Sequence, residues 1–89
     1  MADRPDEYYV GRLLGQIRLL IATNDDIPVE TKLETQPMLK TLEATLADAS
    51  DEADKDRARG QYAFLCEALE EHADLDALLR ALRNFVPYL

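Results

Sequence analysis

The residues best suited to chemistry cluster near the C-terminal third of the chain. This cluster contains the only histidine and four carboxylates, at Glu67, Glu70, Glu71, His72 and Asp74. Di-metal helical bundles bind their ions with Glu-x-x-His pairs contributed by two helices. Here the residue three before His72 is Leu69, so that ligand spacing is absent. The cluster therefore indicates a solvated helix end, and we expect neither a metal nor another cofactor.

The run from Glu70 to Asp74 is similar to the Glu-Glu-x-x-Glu/Asp sets of all-helical nucleotide pyrophosphohydrolases. Those enzymes bind magnesium between helices, so the resemblance implies a metal-dependent nucleotide hydrolase as an alternative function. Such an enzyme needs a second carboxylate set on another helix. The only available set departs from the family's spacing and comprises Asp51, Glu52, Asp54 and Asp56.

Cys66 is the only cysteine, and it does not form a nucleophile–base pair with His72. Six residues separate the two, which places their side chains about 9 Å apart along a helix and on different faces. We therefore predict no catalytic residue and assign Cys66 to the core. A lone thiol permits no intrachain disulfide, and the N-terminus lacks the pattern of a signal peptide. Both observations favour a cytoplasmic protein.

Negative charge is concentrated in the middle of the chain. Between Asp25 and Asp76 there are fifteen acidic and five basic residues, which accounts for the formal net charge of -8. Such a field repels nucleic acid and anionic membranes and attracts basic surfaces. We therefore expect a protein partner, with no direct binding to nucleic acid or membrane, although acidity also serves solubility. The predicted acidic binding face comprises Asp51, Glu52, Asp54, Asp56, Glu67, Glu70, Glu71 and Asp74.

Two further groups are candidates for contacts. Glycine in a helix interior costs up to about 1 kcal/mol relative to alanine, so the three glycines need a compensating role. We predict either close helix packing within the chain or a homodimer seam, formed by Gly11, Gly15 and Gly60. Aromatic residues lie beside both termini, and they either close the bundle on itself or dock a partner. They are Tyr8, Tyr9, Phe85 and Tyr88.

Apolar residues recur at helical spacing, so the elements that position these groups are helices. Asp3 is the predicted cap of a first helix, whose buried stripe is Tyr9, Val10, Leu13, Leu14, Ile17, Leu20 and Ile21. Asp26 precedes a second helix that Pro37 breaks into residues 28–34 and 37–47, or else kinks. Ser50 caps a third helix that ends near residue 71, and Asp74 caps a fourth over residues 75–85. We predict an all-α, compact bundle of about four helices in a single domain over residues 1–89.

A local resemblance adds one functional hypothesis. The segment Tyr8-Tyr9-Val10-Gly11-Arg12-Leu13-Leu14 resembles the Tyr-x-x-Gly-Arg-Leu helix in the large subunit of one class of CRISPR surveillance complex. The resemblance covers seven residues, and the segment after Asn24 departs from the family's pattern. Our main prediction is a small, acidic, non-catalytic module that binds a basic protein. The alternative within this class is a phage-type inhibitor that mimics nucleic acid and blocks a nucleic-acid-binding machine such as a CRISPR complex.

Overall fold

A computed structural model describes residues 5–89, with side chains from residue 7 onwards. The described residues form four helices and no strand, which confirms the predicted all-α bundle. They are α1 (Pro5–Thr23), α2 (Val29–Asp48), α3 (Glu52–Leu69) and α4 (Ala73–Phe85). Each helix contacts two others in the cyclic order α1, α2, α3, α4, and the diagonal pairs do not touch. None of the described helices combines the length and the apolar character that crossing a membrane requires.

Each helix contributes one apolar stripe to a single core. The fully enclosed side chains include Leu14, Ile17, Ile21, Leu39, Leu42, Leu65, Leu69, Leu75, Leu79 and Leu82. These positions confirm the predicted stripes, whereas Tyr9 was wrongly placed among the buried residues and is 48% exposed. The core also contains residues that the periodicity does not indicate: Ile27, Thr35 and Val86.

The break favoured at Pro37 does not occur, and the alternative of a single helix holds, since α2 runs through Pro37 without interruption. Proline lacks the N–H that would bond to the carbonyl of Leu33, and its ring disfavours the helical conformation of the preceding residue. Pro37 itself is exposed, so water can reach the freed carbonyl. Leu39 and Leu42 are fully buried just beyond it, and their packing requires a continuous helix. Tertiary burial therefore outweighs the local cost of the proline.

The helix ends differ from the predicted caps by one or two residues. Asp51 rather than Ser50 caps α3, and its side chain accepts a hydrogen bond from the Asp54 amide at 2.9 Å. Pro28 precedes α2 and there is no side-chain cap. Asp26 belongs to the preceding loop, where its amide donates to Asn24 Oδ1 at 2.8 Å. The same holds at α4, where His72 takes the capping position without a side-chain bond, and Asp74 lies in the first turn. Asp3 lies outside the described residues.

Short connections make neighbouring helices antiparallel, so the bundle has two chemically distinct ends. The α1–α2 connection and the α3–α4 turn lie at one end. The start of α1, the α2–α3 connection and the end of α4 lie at the other, which we call the termini end. Tyr9 stacks on Phe85 there, with ring centroids 5.4 Å apart. The bundle is 41 Å along its longest axis, which keeps the two ends well separated.

Candidate functional site

Exposed carboxylates gather at the end of the bundle opposite the termini. We call this group the acidic end, and it comprises Asp25, Asp26, Glu30, Glu34, Glu67, Glu70, Glu71 and Asp74. None of these eight forms an ion pair with any described residue. Asp76, two residues after Asp74 on α4, does have a partner, because it pairs with Arg80 at 2.8 Å. Arg83 lines the same surface cleft as Glu67 and Glu70. Lys32 at the start of α2 donates its ammonium group to the carbonyl of Ala22 at 3.2 Å. Nearly all of the chain's net charge is therefore concentrated at this end.

The carboxylates at the termini end are largely neutralised by arginines of the same helix. Asp54 pairs with Arg57, and Asp56 pairs with Arg59. Arg59 also reaches Glu52 at 3.5 Å. These pairs are exposed, so each contributes little to stability, but together they reduce the local negative field. The four predicted binding residues of the α3 N-terminus therefore lie in a nearly balanced environment.

Hydrogen bonding at the α3 N-terminus stabilises the charged form of Asp54. Its carboxylate accepts the Ser50 amide at 3.3 Å and the guanidinium of Arg57. The Ser50 bond is the main cause that lowers the pKa of Asp54, with Arg57 the second. Asp51 accepts the Asp54 amide, and Asp54 accepts the amide of Ser50, the residue before the cap. The two carboxylates therefore satisfy backbone amides on both sides of the helix start, in a variant of the capping box. Both residues serve the fold at this position.

The structure separates the two carboxylate sets that a nucleotide hydrolase would have to combine. Asp54 and Glu70 lie near opposite ends of α3, about 24 Å apart along the helix axis. They cannot bind the same cation. Across the described part of the chain, no group of three or more His, Cys, Asp or Glu side chains is placed to hold a metal ion. The two sets therefore form no shared site in the part of the chain that the structure describes.

Cys66 lies beside Tyr62 on the face of α3 that packs on α4. The hydroxyl of Tyr62 is buried and donates to the carbonyl of Leu79. Burial raises the pKa of Tyr62, and burial also raises the pKa of the Cys66 thiol. A raised pKa keeps the thiol protonated and weakly nucleophilic near neutral pH. This environment is that of a core residue, as predicted for Cys66.

The aromatic residues near the termini form two separate contacts. Tyr9 stacks on Phe85, and Tyr8 meets Tyr9 edge-to-face at 5.4 Å, so the two ends of the chain pack together. Tyr88 instead contacts α3, where Lys55 lies 5.5 Å from its ring and Arg59 donates to its carbonyl at 3.3 Å. Tyr8 remains 60% exposed. The predicted closure of the bundle therefore uses Tyr9 and Phe85, and leaves Tyr8 accessible.

The three glycines do not pack closely against any part of the chain. A Cβ atom built on Gly11, Gly15 or Gly60 would have no heavy atom within 4 Å outside its own helical backbone. The predicted role in helix packing within the chain is therefore wrong. Gly60 lies on α3, which does not contact α1, so it cannot complement the other two within one chain. Sequence reasoning could not find this, because spacing alone does not show which face a neighbour covers.

Gly11 and Gly15 belong to an exposed stripe along α1 that sequence reasoning missed. We call it the outer stripe, and it comprises Tyr8, Gly11, Gly15, Leu19 and Ala22. These positions follow steps of three and four, so they share one helix face, opposite the core. Leu19 is 62% exposed. At Gly11 the stripe borders a cleft of about 540 Å³, whose apolar walls include Val10, Leu46 and Phe85.

Comparison with known proteins suggests no function for this chain, so a functional proposal rests on the geometry described above. The chain matches no protein-family model, no curated protein and no solved structure.

Proposed function

We propose that this chain is a non-catalytic interaction module that binds a basic protein through its acidic end. The observation that supports the proposal is the unequal distribution of compensated charge. At the termini end Asp54 and Asp56 pair with Arg57 and Arg59. At the opposite end Asp76 pairs with Arg80, and the eight carboxylates of the acidic end have no ion pair among the described residues. If solubility were their only role, neither end would be favoured over the other. A concentrated field at one end instead attracts and orients an approaching basic surface.

The acidic end also offers a suitable scaffold for such contacts. Four of its carboxylates lie in the α1–α2 loop and the α3–α4 turn, and the other four lie on the adjoining ends of α2, α3 and α4. Both connections are fixed by hydrogen bonds. The Ile27 amide donates to the Asn24 carbonyl at 3.3 Å, and the His72 amide donates to the Leu69 carbonyl at 3.0 Å. Ile27 is also buried in the core. The carboxylates therefore project from a rigid base, which lowers the entropy lost on binding.

Two triple variants with equal charge test this proposal. The first neutralises the acidic end by Glu70→Gln, Glu71→Gln and Asp74→Asn. The second neutralises exposed acids at the termini end by Asp48→Asn, Glu52→Gln and Asp56→Asn. Each variant and the wild type are immobilised as bait for a host-cell lysate at low and at high salt, and captured proteins are identified.

We expect the wild type to capture a basic protein at low salt, with loss of capture at high salt because exposed charges are screened beyond about 8 Å. The acidic-end variant should lose the partner, and the termini-end variant should retain it. Equal loss in both variants would show that only bulk charge matters. Capture that resists salt and both triple variants would contradict the proposal and point to the exposed aromatic residues, beginning with Tyr8.

A further inference from the structure

We propose that a second copy of this chain docks on the outer stripe of α1, with the two α1 helices antiparallel and crossing at Gly15. The surface is accessible, because every residue of the stripe is exposed and the glycine positions face open space. This interaction is separate from the acidic end and does not depend on the function proposed above.

The spacing of the outer stripe is symmetrical about its central residue. Starting from Tyr8, the steps to the following members are three, four, four and three residues. In an antiparallel pair centred on Gly15, positions equally distant from the centre face each other. Leu19 of one copy then lies over Gly11 of the other, and Tyr8 lies over Ala22. The same contacts occur twice, as a two-fold interface requires.

The sizes of the facing residues are complementary. At each pair a large, exposed side chain meets a small residue or none: Leu19 meets Gly11, and Tyr8 meets Ala22. Gly11 also lies on the rim of the cleft, whose walls combine apolar Val10 and Leu46 with the carboxylates Glu7 and Glu43, so Leu19 of the second copy would contact its apolar side. At the centre, Gly15 meets its own copy, where the absence of side chains lets the two backbones approach closely.

Electrostatics favour this face over the rest of the surface. A chain with net charge -8 repels its own copies over most orientations. Between Glu7 and Asp25, however, α1 contains no acidic residue and carries only Arg12 and Arg18. Arg18 pairs with Glu43 at 2.6 Å, and Arg12 lies over the Tyr8 ring at 5.8 Å. The outer stripe therefore brings no carboxylate of α1 between two copies, and Arg12 and Arg18 flank it at equal distances from Gly15.

The length of the stripe sets the expected affinity. Tyr8 and Ala22 are fourteen positions apart, which corresponds to about 21 Å of helix. A single pair of helices over that length covers less than the approximately 800 Å² per partner of a standard interface. We therefore expect a weak dimer, with a dissociation constant above about 1 μM. Sedimentation equilibrium of the full chain from about 5 μM to 1 mM covers this range. Rising salt should strengthen the dimer, because it screens the repulsion between copies.

Exchanging the sizes of two facing residues gives a specific test. Gly11→Leu places leucine against leucine, and Leu19→Ala leaves the site over Gly11 empty, so each variant should raise the dissociation constant about tenfold or more. An equimolar mixture of the two variants restores a large residue against a small one at both contacts. The mixture should therefore associate more strongly than either variant alone. Gly60→Leu is the matched control on α3, and it should leave association unchanged.

Circular dichroism of each variant monitors folding, and the substituted positions are exposed, so the native helix content should be retained. A wild-type chain that stays monomeric at 1 mM would overturn the proposal. A dimer that persists unchanged in Gly11→Leu would do so as well. Failure of the mixed variants to associate better than the separate ones would show that Leu19 and Gly11 do not face each other.

Discussion

Replacing helical glycines with alanine measures directly whether these positions face open space. Gly15 and Gly60 lie inside α1 and α3, and a Cβ atom at either would meet no heavy atom within 4 Å. Alanine therefore introduces no clash and removes the entropic penalty of glycine, which is about 0.5–1 kcal/mol in a helix interior. Each substitution should raise the free energy of unfolding by about that amount. In a domain of this size that corresponds to an increase in Tm of about 2–8 °C.

Urea denaturation followed by circular dichroism at two protein concentrations is the appropriate assay, because a transition that does not depend on concentration reports the monomer alone. Ala63→Gly is the matched control, since Ala63 is exposed on the same helix as Gly60, three residues further on. It should lower the free energy of unfolding by a similar amount. A decrease in stability on Gly60→Ala would refute the reasoning, because it would require a group close to Gly60 in the folded chain.

The same substitutions separate folding from association. Gly15→Ala should stabilise the monomer but weaken the dimer, because two Cβ atoms then oppose each other at the crossing point. Gly60→Ala should stabilise the monomer and leave the dimer unaffected. If both substitutions stabilised the monomer and neither altered sedimentation, the glycines would have no part in self-association.

Three other changes test the contacts within the bundle. Pro37→Ala should restore the missing helical hydrogen bond and raise the free energy of unfolding by about 1–3 kcal/mol in urea denaturation. Tyr62→Phe should lower the free energy of unfolding by about 1 kcal/mol, because the carbonyl of Leu79 loses its buried donor. Burial raises the pKa of Tyr62 in the folded chain, so the wild type should lose stability above pH 10, where the tyrosine of the unfolded chain ionises. Tyr62→Phe should lack that loss. Asp51→Ala should cost about 1 kcal/mol through loss of the α3 cap. The pKa of Asp54 in the folded chain lies below its ordinary value of 3.8, so its contribution to stability is complete above pH 3.8 and is lost as the pH falls through the folded pKa. In an acid titration, Asp54→Asn should therefore lose less stability than the wild type.

The fold was largely predictable because apolar periodicity is strong in this chain. The stripes of α1, α3 and α4 needed only the spacing of leucine, isoleucine and alanine, and those helices are present. The prediction failed at Pro37, where local sterics argue for a break but the burial of Leu39 and Leu42 on its C-terminal side holds the helix together. Sequence reasoning weighs the local cost readily. It cannot measure the packing that opposes the cost before the partner helices are known.

The cap positions show the same limit on a smaller scale. Ser50 and Asp51 are both good capping residues, and the sequence does not distinguish them. The choice of Asp51 goes with Asp54, whose amide donates to Asp51 and whose carboxylate accepts the amide of Ser50. A search for an acidic residue three positions after each candidate would have favoured Asp51 over Ser50, since Ala53 occupies that position after Ser50.

The candidate sites could not be predicted from the sequence because each combines residues that are far apart along the chain. The predicted acidic face contained Asp54 and Glu70 together, although the two lie near opposite ends of α3. The acidic end became visible only when antiparallel topology brought Asp25 and Glu30 to the same end as Glu70. The outer stripe was missed because Tyr8 and Leu19 were considered separately from the glycines between them. One helix face unites them, and only the burial of the opposite face shows that it is exposed.

Salt dependence provides a way to distinguish the two proposed interactions in one preparation. Binding of a basic partner at the acidic end joins opposite charges and should weaken as salt rises. Association through the outer stripe joins two chains of the same net charge and should strengthen under the same change. Glu70→Gln, Glu71→Gln and Asp74→Asn together should reduce the first and enhance the second, since they lower the repulsion between copies. If partner binding and self-association respond in opposite directions to the same variant and the same salt series, they cannot use a single surface. That result would establish that the acidic end and the outer stripe bind independently.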